Sequence, residues 1–281
     1  MNYNFFGLVF ATVFFLSAIL IQTPIPVVEA KDANTITIDG EHTCKVAAET
    51  STYEWIANTS ICKITSDWEP ANDIILSKGV KLEIANFSKL TISNPHSLHI
   101  NNGSGLIITK DSELYSDNGE IINFGTITNS GTISDDNFAT IKNSHVIDNS
   151  GTITNNHNSK INNNGSFYNF LGGIITNNSG ARFYNYEFLY NAEMINNNSG
   201  ATIDNEGSLK NDSGGNITNN GTISNNGNIK NNSGATIINN NIINNNSDAT
   251  IQGSGNITPK GTINGSGSCR SEEHTSELQS H

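Results

Sequence analysis

The sequence predicts an all-β fold: a single-stranded parallel β-helix, a three-sided solenoid of about 20–22 residues per rung with an N-terminal disulfide cap. Three observations carry this. From Gly125 to Asn264 the chain repeats one short theme, an Ile, Leu or Phe between polar neighbours followed by Asn, Ser and Gly. The apolar centres, from Ile127, Ile133, Ile141 and Ile147 to Ile257 and Ile263, recur at steps of six or eight, whereas a helix requires steps of three and four. Every third centre from Ile127 falls at Ile147, Phe167, Leu189, Leu209, Ile229 and Ile251, in steps of 20 or 22; every second centre spreads more widely, from 12 to 16.

Each unit reads as a very short strand with one inward apolar side chain and outward polar neighbours. Gly and Asn between units suit corners, because both accept positive φ. A weaker spacing of 34 (Ile127, Ile161, Ile195, Ile229, Ile263) contains five gaps and reads as a trace of duplication rather than a turn of the coil. Rungs stack about 4.8 Å apart, so about seven rungs make a rod of roughly 30–35 Å. Equivalent corner asparagines are expected to form amide ladders between rungs.

The chain begins with a segment expected to be a secretory signal, residues 1–30. Phe5 to Ile21 is uncharged and apolar, Pro24 and Pro26 end the run, and Val28-Glu29-Ala30 resembles a small-residue cleavage site. The run is shorter than the ~20 residues a membrane span needs. Residues 31–73 read as the cap, with both tryptophans, Trp55 and Trp68, and two of the three cysteines. In an oxidising compartment Cys44 and Cys62 are expected to form a disulfide closing a loop of ~19 residues, worth roughly 3 kcal/mol. The solenoid is assigned to residues 74–268, with the first rung near Ile74 and early centres at Ile92, Ile100, Ile108 and Leu114.

The last stretch, residues 269–281, departs from every rule of the coil. Arg270 to Ser280, RSEEHTSELQS, resembles the in-frame translation of a common sequencing-library adapter. That resemblance implies a non-native tail and a natural chain running on past about Cys269.

The chemistry offered is sparse. The formal net charge of −12, with only 14 Lys and Arg, speaks against nucleic-acid binding, which needs basic patches. Asp135-Asp136 is the only adjacent acidic pair in the coil, and neighbours in a strand point to opposite faces. His145 and His157 read as solvated side chains. No catalytic set, metal-ligand cluster or phosphate loop is recognisable. The expectation is a non-enzyme with no catalytic residues, no metal and no cofactor. A polysaccharide-acting β-helix enzyme is the alternative, and it would need paired carboxylates on one groove. Thr126/Thr128 and Thr152/Thr154 place two hydroxyls outward from one strand, as an ice-binding face would, but Lys142, Asp204, Lys230 and Gln252 interrupt the array.

A further signal is an aromatic stretch from Phe167 to Tyr190. With Phe167 and Phe183 inward, Tyr168 and Tyr184 point outward, and Tyr190 follows Tyr168 by one long rung, a step of 22. Tyr168, Tyr184 and Tyr190 are therefore candidate carbohydrate-binding residues, against the plainer reading of local repacking around the two phenylalanines. Asn-x-Ser/Thr sequons are frequent, and Asn102, Asn164, Asn177, Asn197, Asn220, Asn231 and Asn245 are candidate exposed glycosylation acceptors.

The runs GVKLEIANFSKLTI and GTITNSGTIS resemble those of secreted microbial surface proteins, archaeal or bacterial, with Asn/Gly/Thr/Ile repeats: adhesin-like β-solenoids. The similarity covers roughly residues 74–268. It implies an exported rod at the cell surface or secreted. The expected partners are surface glycans, matrix or copies of itself, with no nucleic acid and no membrane beyond the export signal.

Overall fold

The computed structural model describes residues 35–47 and 52–271; the expected signal segment and most of the expected tail lie outside them. All described strands belong to one unit, which begins at Asn34. Strands of mostly four residues wind into three parallel sheets, faces A, B and C, with 11, 12 and 9 strands among the described residues. From Asp73–Leu76 onward, consecutive strands go to consecutive faces, and every third strand stacks on the one before it. The result is a parallel β-solenoid of about ten turns. At the usual strand spacing it is about 45–50 Å long.

The register follows the apolar period. On face B, Ile127 stacks on Ile147, then Phe167, Leu189, Leu209, Ile229 and Ile251. The spacing of 34 has no structural counterpart as a turn, because five strands end on a different face.

The strands carry two inward side chains, not one. Thr126–Asn129 alternates out, in, out, in, so Asn129 is as enclosed as Ile127. In the early rungs the second inward place is aliphatic, as in Leu76, Ile84, Ile92, Ile100 and Ile108. From Asn123 onward it is almost always asparagine. The register places Leu98, Leu106 and Leu114 beneath Ile121, Ile127 and Ile133. Ile92, Ile100 and Ile108 are thus second inward residues, and the first centres there are Leu90, Leu98 and Leu106. Early rungs are also longer: Leu98 stacks on Ile74 and Leu106 on Leu82, a sequence step of 24 in each case.

The coil begins one rung before Ile74. Thr35–Ile38 pairs in parallel with Asp73–Leu76, and Ile61–Ile64 with Lys81–Ile84. The cap region is therefore partly rung. A helix, Glu41–Ala47, and an antiparallel strand, Tyr53–Ile56, are added to it. The Cys44–Cys62 disulfide ties that helix to the first parallel strand of face B, with both residues buried. At the other end, the expected boundary after residue 268 falls inside a strand. Ser268–Ser271 stacks on Thr250–Gly253, with Cys269 on Ile251 and Arg270 on Gln252, so the ladder continues through Arg270.

Most corners have two or four residues. In the four-residue corners the third residue is left-handed: Gly172, Gly180, Gly200, Gly214 and Gly234, or Asp111, Asn158 and Asp248. Phe87 and Phe138 occupy the same place with φ of 65° and 71°, and both rings are exposed. In the two-residue corners the chain packs directly on the rung below. A Cβ on Gly227 would lie 2.1 Å from the Gly207 carbonyl oxygen, which only glycine permits.

Candidate functional site

Two polar and aromatic arrangements stand out, one inside the rod and one on its surface. Inside, the second inward residues form three amide ladders. On face A, Asn123 Nδ2 donates to Asn143 Oδ1 at 2.8 Å, and the chain continues through Asn163, Asn185, Asn205 and Asn225 to Asn245. Face B runs from Asn129 to Asn231, and face C from Asn155 to Asn239. Most of these Nδ2 groups also donate to a backbone carbonyl, as Asn123 does to Val146. The ladders need this second partner, because a buried donor left unpaired costs about 1–3 kcal/mol.

This changes the reading of the sequons. Asn177, Asn197, Asn231 and Asn245 are buried ladder members, not exposed acceptors, because their amides point into the core. Asn102 and Asn164 are exposed, and Asn220 is half-buried and accepts from Asn240 at 2.8 Å.

On the surface, face B gathers aromatics from two adjacent rungs. Tyr168 and Tyr190 are register partners with ring centroids 6.1 Å apart. Phe170 stacks parallel to Tyr168 at 5.4 Å and lies 6.0 Å from Tyr190. Phe188 meets Tyr168 edge-on at 5.8 Å. One rung on, polar groups border the platform. The Tyr190 hydroxyl donates to Asp212 Oδ2 at 2.9 Å, the Lys210 ammonium lies 3.1 Å from that oxygen, and Asn232 Nδ2 donates to Asp212 Oδ1 at 2.7 Å. Lys210 also sits 5.2 Å from the Tyr190 ring centroid. Hydrogen bonds from Asn232, Tyr190 and Lys210 hold the Asp212 carboxyl far below the usual carboxylate range. Burial, followed by Asp212 itself, raises the Tyr190 phenol.

Tyr184 is not part of this platform. It stands on face A, stacked on Tyr186 at 6.0 Å, with Arg182 donating to its hydroxyl at 2.9 Å. Phe170 and Phe188 complete the platform in its place. Phe170 lies in a corner and Phe188 at an outward strand position, and their position relative to Tyr168 follows only from the register.

The acidic pair divides as strand alternation requires: Asp135 is fully buried and Asp136 faces out. His157 is not merely solvated, because its Nδ1 contacts Asp136 Oδ1; His145 is exposed. On face B, Thr128 lies between Ile107 and Asp148 in register, which breaks any continuous hydroxyl array there.

No family model, curated protein or solved structure matches this chain.

Proposed function

We propose that this chain is an exported, adhesin-like repeat rod that presents face B to glycans at a cell surface or in a matrix. The observation that carries the reading is the platform of Tyr168, Phe170, Phe188 and Tyr190, bordered by Lys210, Asp212 and Asn232. Sugar rings present apolar C–H faces that stack on aromatic rings, and rims of hydroxyls that need donors and acceptors. The platform offers both within two or three rungs. A rigid scaffold with short corners suits presentation, because the rings are placed by ladder register rather than by a loop. The rod also holds the rings in place before binding, which lowers the ordering cost.

The test is titration of the purified protein with soluble oligosaccharides of differing composition, beside a Tyr190→Ala and Phe188→Ala double variant. Binding by the parent and at least tenfold weaker binding by the variant, at unchanged unfolding midpoint, supports the reading. Equal binding by both proteins, or a variant that merely unfolds earlier with no glycan bound by the parent, returns the aromatics to a packing role.

A further inference from the structure

The face C ladder departs from the other two at its start. On faces A and B the leading amides, Asn123 and Asn129, have Oδ1 accepting the backbone N–H of Gly125 and Gly131, at 3.1 and 3.2 Å. On face C the leading amide is Asn155, followed by a long corner instead of that glycine. Its Oδ1 is buried and makes no hydrogen bond. The register partner beneath it is Asp135, and beneath that is Ser116. Both Asp135 carboxyl oxygens and the Ser116 hydroxyl are likewise buried and have no hydrogen-bond partner in another residue. Four unpaired oxygens thus stand in one column, just before the run in which each amide from Asn155 to Asn219 donates to the next.

An ionised carboxylate does not fit that column. It has no hydrogen to give Asn155, and it would set a charge against an acceptor oxygen inside the core. Asp135 is the only acidic or basic side chain among the buried ones described. One proton resolves the opposition of acceptors between Asp135 and Asn155. The carboxylic O–H then donates to Asn155 Oδ1, as an amide Nδ2 does elsewhere.

We propose that Asp135 is a neutral carboxylic acid at neutral pH, serving as the first donor of the face C ladder and making this rung a pH-sensitive point of the rod. The surrounding charges do not oppose this. On its own strand Asp136 faces outward with His157. The preceding strand presents Glu113, Tyr115 and Asp117 on its outer side, with Lys89 paired to Glu113. The following strand, Thr152–Asn155, has no titratable side chain. Burial is the main cause raising the Asp135 carboxyl well above its usual range; the backbone N–H of Asp135 opposes it, and Asp136 adds to it.

The sign follows from linkage. The unfolded chain releases this proton near pH ~3.9 and the folded chain only at higher pH. This group therefore leaves stability greatest below the unfolded value and lowers it as pH rises toward the folded value.

The test compares the parent with Asp135→Asn by urea unfolding at pH 4 and pH 7, with 13C NMR of the aspartate side-chain carboxyl carbons in the parent. Asparagine supplies the same donor without titrating, and all other groups are shared. The expected result is an unfolding constant at least tenfold smaller for the variant at pH 7, with the gap closing at pH 4. The Asp135 carbon should keep its protonated shift at pH 7. A gap that does not change with pH, or an ionised carboxylate signal at pH 7, overturns the proposal. So does stabilisation of the parent alone by added sodium or calcium with Asp135 ionised, which would put a cation in the column. Should the variant not fold, the carboxyl spectrum of the parent decides.

Discussion

Asn185 Nδ2 donates to Asn205 Oδ1 at 2.7 Å, joining residues 20 apart in sequence and one rung apart in space. Asn205 in turn donates to Asn225 Oδ1 and to the carbonyls of Gly207 and Asn228. A single amide thus serves two neighbours and its own corner.

Asn205→Ala is expected to cost about 2–3 kcal/mol, because it leaves Asn225 Oδ1 without its donor, opens a small void, and each buried unpaired group costs about 1–3 kcal/mol. Urea unfolding monitored by far-UV circular dichroism measures this. A loss below about 0.5 kcal/mol, the low end for one net hydrogen bond, would mean that the ladder contributes little to cohesion.

Gly227→Ala tests the tight corners. With the Cβ 2.1 Å from the Gly207 carbonyl, the rungs must separate locally. Overpacking of this kind costs about 1–3 kcal/mol, and the upper end is expected because the obstacle is backbone. The same change at Gly40, which has open space around it, is the control.

Phe138→Asn should stabilise. Phe138 stands at φ 71°, where the equivalent corners carry Gly180, Gly200 and Asn158, and its ring is 67% exposed. A left-handed conformation costs an ordinary residue about 1–2 kcal/mol, and Asn tolerates it better, so a gain of about 0.5–1 kcal/mol in thermal or urea unfolding is expected. A loss would show that the exposed ring has a partner that offsets its strain.

Reduction of Cys44–Cys62 should lower stability by about 3 kcal/mol, since the bridge joins residues 18 apart in sequence. The Glu41–Ala47 helix and the Thr35–Ile38 strand should lose amide-exchange protection before the later rungs do. Exchange that accelerates equally along the whole rod would contradict a local role.

The rung period is legible because each strand contributes one apolar residue at a fixed phase, so the series from Ile127 to Ile251 yields the turn directly. The second inward residue is hidden by its chemistry. Asn123, Asn143 and Asn163 look like corner residues by composition, and only the stacking of identical amides makes their burial tolerable. The same property conceals the fate of Asn177 and Asn197 as sequons. In the early rungs the signal is too rich: Leu98 and Ile100 are both apolar and both inward, which leaves the centre ambiguous. The first rung escapes the pattern because a helix and an antiparallel strand separate Thr35–Ile38 from Ile61–Ile64 and interrupt the period. At the aromatic platform, Tyr168 and Tyr190 are legible as a one-rung pair. Tyr184 is not separable from them, because face assignment depends on counting strands rather than residues.

The buried amides all point one way. From Asn123 to Asn245, from Asn129 to Asn231 and from Asn155 to Asn239, each N–H is directed toward the higher-numbered rung. The corner amides nearer the surface run oppositely, Asn198 to Asn178 to Asn156, but they lie where water screens them. In an ordinary sheet strand dipoles largely cancel. Here three rows of side-chain dipoles, each of about 3.5 D, add along one axis. The core is therefore vectorial, with its positive pole toward the later rungs. Each amide polarises the next, so its hydrogen bonds strengthen as a row lengthens.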